Sequence, residues 1–287
     1  AGTMVALLLI DNSSNAALQA SLTAIALLVL ASLIVTVPIA TRCVPDNSLA
    51  RPEGNNLRGA LRLLIEPSPF RRLLFAFLLN GVANAIPATL FLLFVTHVLE
   101  APGLAGPVLL LYFLCSAVSV PLWVRIARRY GKHQTWCAAV TLACVFFLGA
   151  PFLGAGDTAW YVGIVIGTGL MIGADLALPS AINGDLIEWD AHTNGQRRPG
   201  LFFALWGTAS KLAFALAVGL IFPLLDVIGF DATSANSAED VRTLAILYGA
   251  PSIAFKLAAV ALMLRFPIDE VEHQRLRNAL AANEPAP

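Results

Sequence analysis

Three charged residues stand inside otherwise apolar stretches of this chain: Asp175, Lys211 and Lys256. A carboxylate or ammonium at the centre of a membrane helix costs about 2.5–3.5 kcal/mol on insertion, so each needs a counter-charge, an ion or a polar solute beside it. The chemistry open to these residues is charge pairing and ligand binding. Bond-breaking machinery is not visible, for the sequence holds no H-E-x-x-H, no G-x-S-x-G and no Walker pattern. All four histidines, His97, His133, His192 and His273, fall at the ends of apolar runs or between them, and Cys43, Cys115, Cys137 and Cys144 form no C-x-x-C pair. An enzyme, a resident cofactor or metal, and a nucleic-acid partner are therefore not expected.

Depth along the helix relates the three charges. Lys211 lies eleven residues past Gly200, which places it ~16 Å from that end of its run at the helical rise. Asp175 lies ten residues before Asp185, hence ~15 Å deep from the same end of the preceding run. Equal depth on consecutive runs predicts that Asp175 and Lys211 meet in a central cavity. The face of Lys211 carries the small residues Ala204, Gly207, Thr208 and Ala215 at helical spacing, which leaves room beside the ammonium. Lys256, nine residues before Arg265, is also deep. Asn80 and Asn84 share a face, with Gly81 and Pro87 beside them, and suit either a solute hydroxyl or a helix–helix contact. Phe202, Phe203 and Trp206 suit either stacking on a solute or the membrane interface. Nearer the ends, Asp185, Glu188 and Asp190 stand opposite Arg197 and Arg198, with Arg128 and Arg129 in a neighbouring connection. They read either as a gate or as a solvated charge run. A gate would need several pairs acting together, because one exposed ion pair is worth about 0–1 kcal/mol.

The elements that must position these residues follow from composition. Of 287 residues, 58% are hydrophobic and 13% charged, far from the roughly one-quarter charged share of a soluble domain. A run of about 20 apolar residues spans a bilayer core as a helix. Seven such runs occur, Leu18–Thr41, Leu73–Thr96, Leu104–Val124, Thr135–Leu153, Trp160–Asn183, Gly200–Leu225 and Leu244–Leu264, with Met4–Ile10 as the tail of an earlier one. The fold class is all-α, a polytopic membrane helix bundle with the lipid bilayer as its surroundings. If every span crosses, all 18 Lys and Arg except Lys211, Arg242 and Lys256 fall on one side. That side is cytoplasmic by the positive-inside rule. The expected location is the plasma or inner membrane, with the linker and C-terminus cytoplasmic.

The chain divides into residues 1–41, a remnant of an N-terminal transmembrane half; 42–72, a cytoplasmic linker; 73–266, a six-helix C-terminal half; and 267–287, a cytoplasmic tail. The linker contains Pro45, Pro52, Gly54, Pro67 and Pro69 around a short amphipathic stretch, Leu57–Ile65. Six spans after a long basic linker match one half of a twelve-span transporter with its site near the midplane. A missing N-terminal half of the same protein is therefore an expected partner.

The block GDLIEWDAHTNGQRRPG at Gly184–Gly200, followed by LFFALWGTASKLAFALAVGL, resembles the glycoside-pentoside-hexuronide:cation symporter family, the melibiose-permease-like branch of the major facilitator superfamily. PLWVRIARRYGKH at Pro121–His133 and RFPIDEVEHQRLRNAL at Arg265–Leu280 agree with it. The resemblance covers roughly residues 18 to 281. It implies a major-facilitator-like fold and alternating-access symport of a small polar solute, a sugar or glycoside first, with a proton or sodium ion. Members that carry lysolipids form the alternative, and a transport-dead receptor or assembly factor a third reading. Lys211 matches the family's central lysine, the last span is placed at the lipid-facing edge, and the cation-binding aspartates lie mainly in the N-terminal half.

Overall fold

The computed structural model describes residues 15–43, 59, 63–65, 68–194, 198–232, 236–264 and 266. Met4–Ile10, most of the linker, Arg197 and the tail 267–287 lie outside the described residues. Seven long helices follow in order: α1 Asn15–Cys43, α2 Pro69–Leu93, α3 Ala105–Tyr130, α4 Lys132–Phe147, α5 Thr158–Asn194, α6 Pro199–Val227 and α7 Ala238–Met263. The expected runs thus all fall on helices. Six of them, from 21 to 36 residues with their short extensions, are long and apolar enough to cross a membrane. On α1 the shorter apolar stretch is Val29–Ile39, and every described side chain of that helix is exposed.

Local chemistry sets the ends. Ser68 caps α2 by accepting from the Arg71 amide, and Pro69 occupies the first turn, where a missing N–H costs nothing. Ser237 and Asp240 form a reciprocal capping box on α7. Gly131, at φ 87°, reverses the chain between α3 and α4 in one residue, a backbone state that L side chains resist. Residues 59 and 63–65 are helical, with Leu63 buried and Ile65 exposed. At 37 residues, α5 is ~55 Å long against a hydrocarbon core of roughly 30 Å. Its final turns therefore extend past the apolar layer and carry Asp185, Glu188 and Asp190.

Packing reveals an internal repeat. Helix α2 packs against α6 and α7, α5 packs against α3 and α4, and α4 meets α7. Exchanging the triplet α2–α4 with the triplet α5–α7 reproduces every one of these contacts, the nested three-plus-three organisation of transporter halves. The pivot helices share a pattern as well, Gly81 and Pro87 on α2 and Gly173 and Pro179 on α5, at equal spacing. Both glycines permit close crossings. A Cβ on Gly81 would stand 2.8 Å from the Ala213 Cβ of α6, and one on Gly173 would strike the Ser119 hydroxyl of α3 and stand 2.8 Å from the Ser116 carbonyl.

The core falls into two clusters, one around Phe70, Leu73, Trp136, Ile182 and Phe202 at the arginine-rich end, the other around Ile86, Phe94, Tyr161, Ile221 and Tyr248. Between them on the pivot helices and on α7 lie polar residues. Gly173→Ala is expected to destabilise the body by about 1–3 kcal/mol through overpacking, whereas Gly163→Ala, where an added Cβ meets nothing within 4 Å, leaves it unchanged. Thermal unfolding of the two variants in detergent checks this.

Candidate functional site

The polar layer is built from four helices. Asn80 and Asn84 project from α2 one turn apart, Trp136 from α4, Asp175 from α5 and Lys256 from α7. The Asp175 carboxylate accepts from Asn80 Nδ2 at 2.8 Å and Asn84 Nδ2 at 2.9 Å through one oxygen, and from Trp136 Nε1 through the other. Lys256 Nζ donates to Asn80 Oδ1 at 3.1 Å and to Asn84 Oδ1 at 2.7 Å, and lies 3.7 Å from the Asp175 carboxylate. Each asparagine thus bridges acid and base, donating to one and accepting from the other. Lys256 is only 8% exposed and Asn80 3%. A low-dielectric setting makes such a network strong when complete and costly when broken.

The expected pair of Asp175 with Lys211 is not formed. On α6 the buried stripe is Ala209, Ala213, Ala217, Ile221 and Leu225, and Lys211, two residues from Ala209, points about 200° away from it. Lys211 is exposed and has no ion-pair partner among the described residues. Its place is taken by Lys256, which the resemblance put at the lipid-facing edge. The signal was present in α7: Ala245, Tyr248, Gly249, Ser252, Lys256, Ala259 and Met263 recur at helical spacing and are all buried, whereas Ile246, Leu257 and Leu264 are exposed. Small and polar residues on the stripe of Lys256 mark it as the inward face. Trp136 is the other member missed, an indole at the depth of an aspartate.

Thr208 is exposed, and its hydroxyl donates back to the Ala204 carbonyl at 2.8 Å. Trp206 stacks on Phe77 at 3.8 Å, so its ring joins α6 to α2. Phe202 is buried against Phe70, and Phe203 is exposed. At the arginine-rich end, Asp190 accepts two donors of Arg198, with a closest approach of 2.9 Å, and Asp185 pairs with Lys132 at 2.6 Å. These contacts bind α5 to the start of α6 and to α4. Glu188, Arg128 and Arg129 are exposed and form no ion pair among the described residues; Arg129 lies 5.4 Å from the Tyr130 ring. Arg197 lies outside the described residues. Lys132, unnamed among the expected gate residues, carries the Asp185 contact because it begins α4 beside the descending end of α5.

A cavity of about 230 Å³ opens beside the charge pair, enclosed by α2, α3, α4, α5 and α7. Asn84, Asp175 and Lys256 reach its lining, and Pro87, Phe91, Phe113, Phe147, Ile164 and Met171 are among its apolar walls. Most other polar groups there are already bonded within the protein. Tyr161 and Tyr248 share a hydroxyl contact of 3.0 Å, Thr168 donates to the Ile164 carbonyl, and Ser252 to that of Tyr248.

Six membrane-length helices with a cavity beside a buried charge pair are the architecture of a multi-pass membrane protein of the transporter class. The chain belongs to the MFS/sugar transport protein family, whose model matches residues 1–270. It is 25% identical over 226 residues to the sodium-dependent lysophosphatidylcholine symporter 1 of Mus musculus, covering 77% of this chain and 42% of that protein. It is also 25% identical over 242 residues to the sphingosine-1-phosphate transporter MFSD2B of Mus musculus, covering 83% of this chain and 48% of that one. The Gallus gallus lysophosphatidylcholine symporter is 22% identical over 223 residues, covering 77% and 42%. The chain thus spans less than half the length of these relatives.

In sodium- and potassium-free buffer, Asp175→Asn and Lys256→Met are each expected to cost about 3–5 kcal/mol by stranding a buried charge, and the double variant to recover most of that loss. Lys211→Met, on the exposed face of α6, should show no such coupling to Asp175→Asn. Equal losses for the single and double variants in thermal unfolding would count against the coupling.

Proposed function

We propose that this chain forms the cavity-bearing half of a secondary transporter that moves a lysolipid-like amphiphile together with a cation, sodium first. The observation that carries the reading is the lining of the cavity. A sugar buried there would leave its hydroxyls facing apolar walls and polar groups already bonded to one another, at about 1–3 kcal/mol for each unmet group. An acyl chain matches those walls, and the Asp175–Lys256 pair gives a polar head a place at one end. The relatives, a lysophosphatidylcholine symporter and a sphingosine-1-phosphate transporter, support the amphiphile over the sugar.

In this reading Lys211 and Thr208, on the exposed face of α6, are placed to meet the half of the transporter that precedes the linker, where a coupling ion has room for further ligands. The Lys132–Asp185 and Arg198–Asp190 contacts hold the helix ends together on the cytoplasmic side while the cavity is closed there. Alternating access then breaks and remakes these ties.

The test uses the protein in its native length, reconstituted into vesicles with an inward sodium gradient or the same concentration of choline. Labelled lysophosphatidylcholine, followed by its loss of extractability to albumin, should move several-fold faster with sodium, while a labelled disaccharide should not. Gradient-driven disaccharide uptake without lysolipid movement would return the solute to the sugar class. Binding of lysolipid with no gradient-dependent movement would make the protein a receptor.

A further inference from the structure

Lys256 Nζ is surrounded by side-chain oxygens. Three side-chain oxygens face it: Asn84 Oδ1 at 2.7 Å, Asn80 Oδ1 at 3.1 Å and Asp175 Oδ2 at 3.7 Å. One bears charge and two are neutral amide oxygens, a hard donor set of the kind that hard cations take. All three belong to α2 and α5, whereas the ammonium arrives on α7. Their orientation is held by contacts that do not involve the lysine. Both amide nitrogens donate to Asp175, which turns both amide oxygens toward Nζ, and the Trp136 indole holds the second carboxylate oxygen. Removal of the ammonium therefore leaves the oxygens converging on the place it filled.

We propose that Asn80, Asn84 and Asp175 form a monovalent-cation site that the Lys256 ammonium fills as a tethered ion, and that a free alkali ion takes when the ammonium leaves. Asn84, Asp175 and Lys256 line the cavity, so an ion reaches the cage without crossing the packed core. The lysine stem gives the ammonium room to withdraw into the same space. An ion that enters the cage displaces the ammonium, and ion occupancy then sets the charge a solute meets there. The inference stands on the cage geometry and not on the nature of the solute. It also differs from a structural ion pair, whose acid would have no use for a free ion.

Thermal unfolding of the native-length protein in detergent tests it, in equal concentrations of sodium, potassium or choline chloride. Wild type sets the baseline, including any response from ion sites elsewhere in the molecule. Lys256→Met should gain several degrees of stabilisation by sodium or potassium over choline beyond that baseline. Adding Asp175→Asn should return the salt response to the wild-type level, since the cage then lacks its charge. The proposal is overturned by Lys256→Met unfolding at the same temperature in all three salts after the baseline is subtracted. Failure of that variant to fold in any of them overturns it as well, because an available ion would then not replace the ammonium. An added response that survives Asp175→Asn does the same, by placing the ion elsewhere. None of these readouts involves transport, so the assignment of the solute stands or falls separately.

Discussion

A charge held in hydrocarbon must be compensated completely, and in this protein that requirement ties four helices to one point. Asp175 on α5, Asn80 and Asn84 on α2, Trp136 on α4 and Lys256 on α7 satisfy one another in a single network. Two of these helices are the pivots of the two triplets, and the other two are the outer helices that meet between them. The network therefore sits where the triplets join, and any relative movement of the triplets must stretch or exchange its contacts. A hydrophobic seam alone would permit sliding; directed hydrogen bonds define one register.

Around that point the packing is permissive in a patterned way. Gly81 lets the Ala213 Cβ of α6, and Gly173 the backbone of α3, come close to the pivot helices, and Pro87 and Pro179 interrupt the hydrogen-bond ladder of each pivot beyond its glycine. Interrupted helices beside a cavity are the elements that bend in transporters, because neighbouring groups re-satisfy the freed carbonyls. The polar network and the cavity thus lie along the same segments of α2 and α5 as these breaks. The ends of the bundle are tied differently, by the partly exposed Lys132–Asp185 pair and the buried Asp190 with Arg198. Water can replace the first cheaply, whereas the second loses a two-donor contact when opened.

Much of this was legible from the chain. Hydropathy located the six spans of the body because apolar composition over bilayer length is a property of contiguous residues. The depth of Asp175, Lys211 and Lys256 came equally from counting along a helix of constant rise. The shared face of Asn80 and Asn84 followed from their spacing, and both residues stand beside Asp175. Pairing was a different matter. Depth ranks residues along the membrane normal but leaves their direction around each helix open, and two lysines at similar depth competed for one aspartate. The buried stripe of α7, which carries Gly249, Ser252 and Ala259 with Lys256, held the discriminating information. The small residues beside Lys211 pointed the other way, because small side chains suit a helix contact with any neighbour.

By itself, then, the sequence determined an all-helical membrane body, the approximate places of its spans, the family and the residues too costly to leave unpaired in lipid. These are set by local composition and by a helical geometry that does not vary. Only the tertiary structure decided that Asp175 meets Lys256 and not Lys211, that Lys132 holds Asp185, that Trp136 completes the site, and that the cavity is walled mainly by apolar side chains. Each of these depends on the rotation and crossing of helices far apart in the chain. Such angles arise from many small packing contacts summed over whole interfaces, and no short stretch of residues encodes them.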